Sequence, residues 1–279
     1  MRVFTTVALL SLLLANEDAF ATPDETAFDL RPSGAVRVPV EINGHGPFTF
    51  LLDTGASHST LSDLVAGRLS LAAVAKVRVQ TAAGARTRLV VRLEHMAIGG
   101  ATAAGLMPSV APQAELEAME PGIDGVVGQD FLSAFDYTLD YQRQRLRWTA
   151  GDDGERLPLI RAGQRSLVRL AGGKRRRPVL MVPDSGTNGL VLFERNGRTA
   201  VEVDEAGPLV NVSAVALAAT GRGAMLGELR VGAVTLRNQP AAVVASDGSS
   251  EVEGDGLLPL HHFASVSFSN SAAYMVVRR

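Results

Sequence analysis

Two short stretches of the chain each join a carboxylate to a hydroxyl residue and a glycine: Asp53-Thr54-Gly55 and Asp184-Ser185-Gly186. Each closes an apolar run, Phe50-Leu51-Leu52 in the first and Val179-Leu180-Met181-Val182-Pro183 in the second. Such runs belong in buried strands. A carboxylate at the end of one is costly to bury unless hydrogen bonds or a second titrating group share the burden. Taken singly, Asp-Thr-Gly also fits a strand that ends in an Asx-type turn and does no chemistry. The spacing argues for more. Asp53 and Asp184 are 184 − 53 = 131 residues apart, and Pro47 and Pro178, and Asp124-Gly125 and Asp255-Gly256, stand at the same offset. One offset shared by three landmarks predicts two similar β-rich lobes. If these pack about a pseudo-two-fold axis with both loops on it, Asp53 and Asp184 meet. Two carboxylates in contact share a proton, so one is a base while the other is an acid. That pair can activate a water against an amide carbonyl without a nucleophilic side chain or a metal. Thr54 and Ser185 would hydrogen-bond across the junction, and Gly55 and Gly186 would bring backbone N–H groups close to the carboxylates.

The elements that must hold these residues are mostly strands. Val36 to Ile42 alternates apolar and mostly polar residues, as a half-buried strand does. Asn43 to Pro47 reads as a turn, and Phe48 to Leu52 returns as the strand that carries Asp53. Ser59 to Leu71 is expected to hold a short helix, with Ser59 and Ser62 as candidate caps. Lys76 to Gln80 and Arg88 to Leu93 are strands, joined by a small-residue tip around Gly84. Ala114 to Met119 reads as a helical turn. Asp136 to Tyr141 and Arg145 to Trp148 close the first unit. In the second half, Ala218 to Gly223 resembles the tip around Gly84, and Val266 to Phe268 is a strand. Three positions differ between the halves: Pro183 directly precedes Asp184, Asn188 stands where Ser57 stands, and Pro259 stands where Gly128 stands.

The composition excludes several classes of function. At 279 residues with 46% hydrophobic content the chain can bury a large core, and a net charge of −2 gives no global pull toward nucleic acid or a membrane surface. The absence of Cys removes disulfides, thiolate catalysis and Cys-based zinc sites. Residues 1–21 have the form of a secretory signal. Met1-Arg2 supplies a charge, Val3 to Ala15 is mostly apolar, and Ala19-Phe20-Ala21 fits a small-x-small cleavage site before Thr22. The reading is an exported, periplasmic or secreted chain, with residues 22–34 as a loose leader, 35–150 as the N-terminal lobe, 151–155 as a linker and 156–279 as the C-terminal lobe.

The two Asp-Thr/Ser-Gly motifs, each followed by an Asp-Gly-apolar-apolar segment, resemble the pepsin/retropepsin family of aspartic proteases, and most of all bacterial members with a retropepsin-type lobe duplicated in one chain. The resemblance covers nearly all of the chain after residue 21. It implies an all-β fold of two acid-protease β-barrel lobes, a cleft between them, a flap over the cleft and peptide hydrolysis. By position it implies Asp53 and Asp184 as the catalytic pair and Thr54 and Ser185 as supporting hydroxyls. Gly55 and Gly186 would support the carboxylates, and Ser57 would orient Asp53. The tip Ala83-Gly84-Ala85 would be the flap, and Val126-Val127-Gly128 the strand bracing the first loop. It implies no cofactor and no metal, a peptide or protein substrate, no nucleic acid, no stable membrane insertion after signal cleavage, and a monomer. Two other readings remain open: a non-catalytic peptide-binding module on the same fold, and a homodimeric protease that uses only the Asp53 lobes.

Other polar clusters have plainer explanations. His261 and His262 are adjacent, and neighbours in a strand point oppositely, so joint metal ligation is not expected. Asp247 to Asp255 lacks the pattern of a calcium loop. Lys174 to Arg177 reads as a solvated hairpin tip.

Overall fold

The computed structural model describes residues 24–81, 84–151, 153–171, 177–214, 217–245 and 254–279. The expected signal segment, residues 1–21, lies outside them. Strands dominate, interrupted by three short α-helices and a 3-10 turn among the described residues. The fold is all-β, arranged in one ten-stranded and one thirteen-stranded sheet.

The ten-stranded sheet is built from the first half of the chain. Val36–Ile42 buries Val36, Val38, Val40 and Ile42 and leaves Arg37, Pro39 and Glu41 more accessible, as the two-residue period of a strand requires. It pairs antiparallel with His45–Leu52. That strand in turn runs parallel to Gly125–Val127, with Phe50, Leu51 and Leu52 opposite Gly125, Val126 and Val127. Thr60–Ser62 flanks Gly125–Val127 on its other side, with Leu61 opposite Gly125. The expected helix after Ser59 is shorter than the sequence suggests. It spans Asp63–Arg68, and Ser62 is its N-cap, accepting from the Val65 N–H. Helix Gln113–Met119 matches the helical turn expected there.

The thirteen-stranded sheet carries the second half. Val179–Asp184 runs parallel to Gly256–Pro259, with Met181 opposite Gly256 and Val182 opposite Leu257. Leu190–Glu194 lies antiparallel to Gly256–Pro259, with Leu192 opposite Gly256. Adding 131 to Phe50↔Gly125 and Leu61↔Gly125 gives these pairs residue for residue. Pro183 does sit inside its strand. The ladder to the neighbouring strand Arg165–Leu170 ends at Met181↔Val168, so that side of the strand demands no N–H from Pro183.

Segments from both halves meet toward one end of this sheet. Tyr137–Asp140 pairs antiparallel with Ser265–Ser269, and Tyr137 stands opposite Phe268. Their rings stack with centroids 4.9 Å apart. Arg145–Arg147 and Tyr274–Arg278 flank that pair.

Two expectations need correction. The segment read as a loose leader contains Glu25–Ala27, paired with Arg145–Arg147, and Asp29–Leu30, paired with Val36–Ile42. These strands are too short and polar to show a period, and the ladder partners supply their order. Residues Ala218 to Gly223 are not a hairpin tip. They lie within Leu217–Val231, whose pairing with Val203–Ala214 begins at Ala214↔Leu217.

Candidate active site

The strand His45–Leu52 delivers Asp53 into a loop, and Val179–Asp184 ends on Asp184 itself. Both carboxylates are buried, at 1% and 4% exposure. The two side chains lie close enough for each to influence the titration of the other. Asp53 Oδ1 also accepts from the N–H groups of Gly55 at 2.8 Å and Ala56 at 3.0 Å. Asp184 Oδ1 accepts from Gly186 N–H at 2.8 Å. A buried acid needs such donors.

The glycines explain how closely the loops approach. A β-carbon on Gly55 would lie 2.6 Å from Asp184 Cγ, and one on Gly186 would lie 2.7 Å from Asp53 Cγ. Each glycine therefore passes beneath the carboxyl of the opposite loop, where no side chain fits. Its N–H meanwhile serves the carboxyl of its own loop.

The hydroxyls join the two loops. Thr54 Oγ1 donates to Pro183 O at 2.8 Å and accepts from Ser185 N–H at 3.1 Å. Ser185 Oγ donates to Leu52 O at 2.7 Å and accepts from Thr54 N–H at 3.0 Å. All four bonds are buried. Gln129 adds a fifth, from Nε2 to Thr54 O at 2.7 Å.

Burial raises the pKa of both acids. For Asp53 the backbone N–H groups of Gly55 and Ala56, and the Asp184 side chain, oppose that rise. For Asp184 the charge of Asp53 adds to burial, and its pKa stands well above the usual carboxylate range. The directions agree with the donor count. Asp53, with two backbone donors, is the better site for the negative charge, and Asp184 is the better site for the shared proton.

The sequence-based assignments fare unevenly. Asp53, Thr54, Gly55, Asp184, Ser185 and Gly186 come together in one constellation. Ser57 does not orient Asp53. Its hydroxyl hydrogen-bonds to His58 Nδ1 at 3.1 Å, and the backbone N–H groups of Gly55 and Ala56 take the expected role. Val127 O accepts the Asp53 N–H at 3.0 Å, so the strand expected to brace this loop touches it directly. Of the flap residues, Ala83 lies outside the described residues, while Gly84 and Ala85 pair with Thr81 and Gln80 in the hairpin Ala73–Thr81/Gly84–Val91. Asp124 and Asp255, read only as landmarks, close the ladders beside the loops. Asp124 Oδ2 accepts from Thr49 N–H at 2.8 Å, and Asp255 Oδ2 from Leu180 N–H at 2.9 Å. His261 and His262 lie in the 3-10 turn Leu260–His262, not a strand, and their rings meet edge to face at 4.7 Å. Among the described residues no group of three or more His, Asp or Glu could hold a metal ion.

Sequence reasoning missed Arg165, whose Nε donates to Gly55 O at 2.9 Å. It also missed Asp130, which takes Ser59 Oγ–H at 2.6 Å and Ser59 N–H at 2.9 Å just behind the first loop. No local pattern marks either contact, because the partners lie far apart in the chain.

A comparison with curated proteins gave no match. Among solved structures, the chain is similar to a retropepsin-like aspartic protease from Rickettsia conorii, at 18% sequence identity and a TM-score of 0.32, over 44% of this chain and 87% of that one. Residues 38–131 match the family model described as Aspartyl protease. That segment contains Asp53-Thr54-Gly55 and the Asp124 to Gly128 brace.

Proposed function

We propose that the chain is an aspartic endopeptidase in which Asp53 and Asp184 together activate a water. One observation carries this reading: each glycine lies against the carboxyl of the opposite loop, which sets the two buried acids side by side. A single ionisable acid in so dry a place would be a liability, whereas a pair holding one proton is chemically useful.

In the proposed cycle Asp53 carries the charge and takes a proton from water as its oxygen attacks the peptide carbonyl carbon. Asp184 holds the shared proton and donates a hydrogen bond to the carbonyl oxygen, stabilising the charge that develops there. The tetrahedral species collapses with cleavage of the C–N bond, and the proton held by Asp53 passes to the leaving amine. The protein adds preorganisation, since the Thr54 and Ser185 bonds fix both carboxyls before substrate arrives.

The reading includes two lobes related by an approximate two-fold. The matching ladder registers at the 131-residue offset and the stacked Tyr137–Phe268 pair, whose numbers differ by 131, favour it. With both carboxylates supplied by one chain, a monomer is the expected active species. Sedimentation of active enzyme as a dimer only would revive the homodimeric alternative. Export follows from residues 1–21, and a mature chain starting near Thr22, read by mass from the secreted fraction, is the expected outcome.

The test of activity is direct. Residues 22–279, incubated with unfolded protein substrate, should release peptides, and a statine-type transition-state mimic should stop the release. Peptide binding without turnover across a broad pH range would instead make the chain a binding module.

A further inference from the structure

Arg165 opens the strand Arg165–Leu170, beside the turn that joins it to Leu157–Ala162. From there it reaches 110 residues back along the chain to the Gly55 carbonyl. That glycine donates its N–H to Asp53 and lies against the Asp184 carboxyl. A bond to Gly55 O therefore holds the backbone that serves both acids.

At the matching position the other loop has no such cation. The ladders set Val168 opposite Met181 and Val38 opposite Phe50, so in this strand the offset is 168 − 38 = 130 and the counterpart of Arg165 is residue 165 − 130 = 35, an alanine. Ala35 is buried, and its methyl group brings no charge to the second loop. At this position, among the described residues, the cation is present on one side of the pair only.

We propose that Arg165 is a positioning residue for the Asp53–Asp184 pair: it clamps the Gly55 carbonyl and sets a single positive charge beside the two carboxyls. The assignment rests on the dyad reading above and goes beyond it by naming what makes the two halves of the site unequal.

The charged and titratable groups that face the pair come from four elements. Asp53 follows His45–Leu52, Asp184 ends its own strand, and Arg165 opens the strand next to it. Tyr141, buried after Tyr137–Asp140, has its pKa raised by burial and, to a lesser extent, by Tyr137 and the charge of Asp184, which keeps its phenol neutral. His58 lies nearby in the first loop, with its ring turned to Ser57. Arg165 lowers the pKa of both acids, opposing their burial. Removing its charge must move both titration steps upward.

The experiment is the pH dependence of kcat/KM for peptide cleavage by the wild type, Arg165→Met, Arg165→Gln and Arg165→Lys, each with its thermal midpoint. Both limbs of the Met and Gln profiles should move to higher pH, and the Lys profile should stay near the wild type. On the acid side this reads as about tenfold lower activity per unit of displacement. Gln keeps a donor for the Gly55 carbonyl, so it reports on charge even where Met weakens the fold. Uncharged variants whose profiles superimpose on the wild type would overturn the assignment. Asp53→Asn and Asp184→Asn, run in parallel, separate the two failures. If those variants still cleave, the dyad reading is wrong. If they are inactive while Arg165→Gln titrates like the wild type, only the role of Arg165 is wrong.

Discussion

Thr54 and Ser185 exchange backbone and side-chain groups: the N–H of each donates to the hydroxyl oxygen of the other, at 3.0 Å and 3.1 Å. Each hydroxyl then donates onward to a carbonyl of the opposite strand, Pro183 O or Leu52 O. The lattice is buried and closed, so removing either hydroxyl leaves two backbone groups without partners.

That closure predicts both cost and coupling. Ser185→Ala strands the Thr54 N–H and the Leu52 carbonyl, and Thr54→Val strands the Ser185 N–H and the Pro183 carbonyl. Each should destabilise the fold by about 2–4 kcal/mol, taking 1–3 kcal/mol per unsatisfied buried group and allowing some relaxation. The double variant should cost less than the sum, because the two sites share one network. Urea unfolding of the four proteins tests this, and strict additivity would contradict it.

The close approach of the glycines predicts a loss of function out of proportion to the size of the change. Gly55→Ala pushes a methyl group into Asp184, and Gly186→Ala pushes one into Asp53. Displacing a carboxyl by about 1 Å costs on the order of 100-fold in rate. We expect each variant to lose at least that much in kcat, measured with one peptide at saturation. Wild-type turnover by either would show that the loops can separate without harm.

Burial of the pair also sets how stability depends on pH. The pKa of Asp184 is raised on folding, so its contribution is fully present below the unfolded value near 3.8 and is lost as pH rises through the folded value. Asp184→Asn lacks this term. Its stability relative to the wild type should therefore grow as pH rises from about 4, at up to ~1.4 kcal/mol per pH unit for one proton. Thermal unfolding of both proteins at pH 3.5, 5, 6 and 7 would show it, and a constant difference would count against a raised Asp184.

Much of the candidate site was legible because its chemistry is carried by local motifs. Asp53-Thr54-Gly55 and Asp184-Ser185-Gly186 are each contiguous, and their common offset links them in the sequence itself. The alternation in Val36–Ile42 was legible for the same reason, since a strand with one buried face writes its period into the sequence. What stayed hidden depends on distant partners. Glu25–Ala27 is ordered by pairing with Arg145–Arg147, and nothing in its three residues foretells that. Arg165 touches Gly55 across 110 residues. Ser57 was assigned to Asp53 by position alone, whereas in the fold it turns to His58 and the backbone supplies the donors.

The claim that Asp53 and Asp184 act as one catalytic pair has a direct test. Asp53→Asn and Asp184→Asn should each lower kcat/KM for peptide cleavage by about a thousandfold or more, with the thermal unfolding transition retained. Cleavage at the wild-type rate by either folded variant would contradict the account.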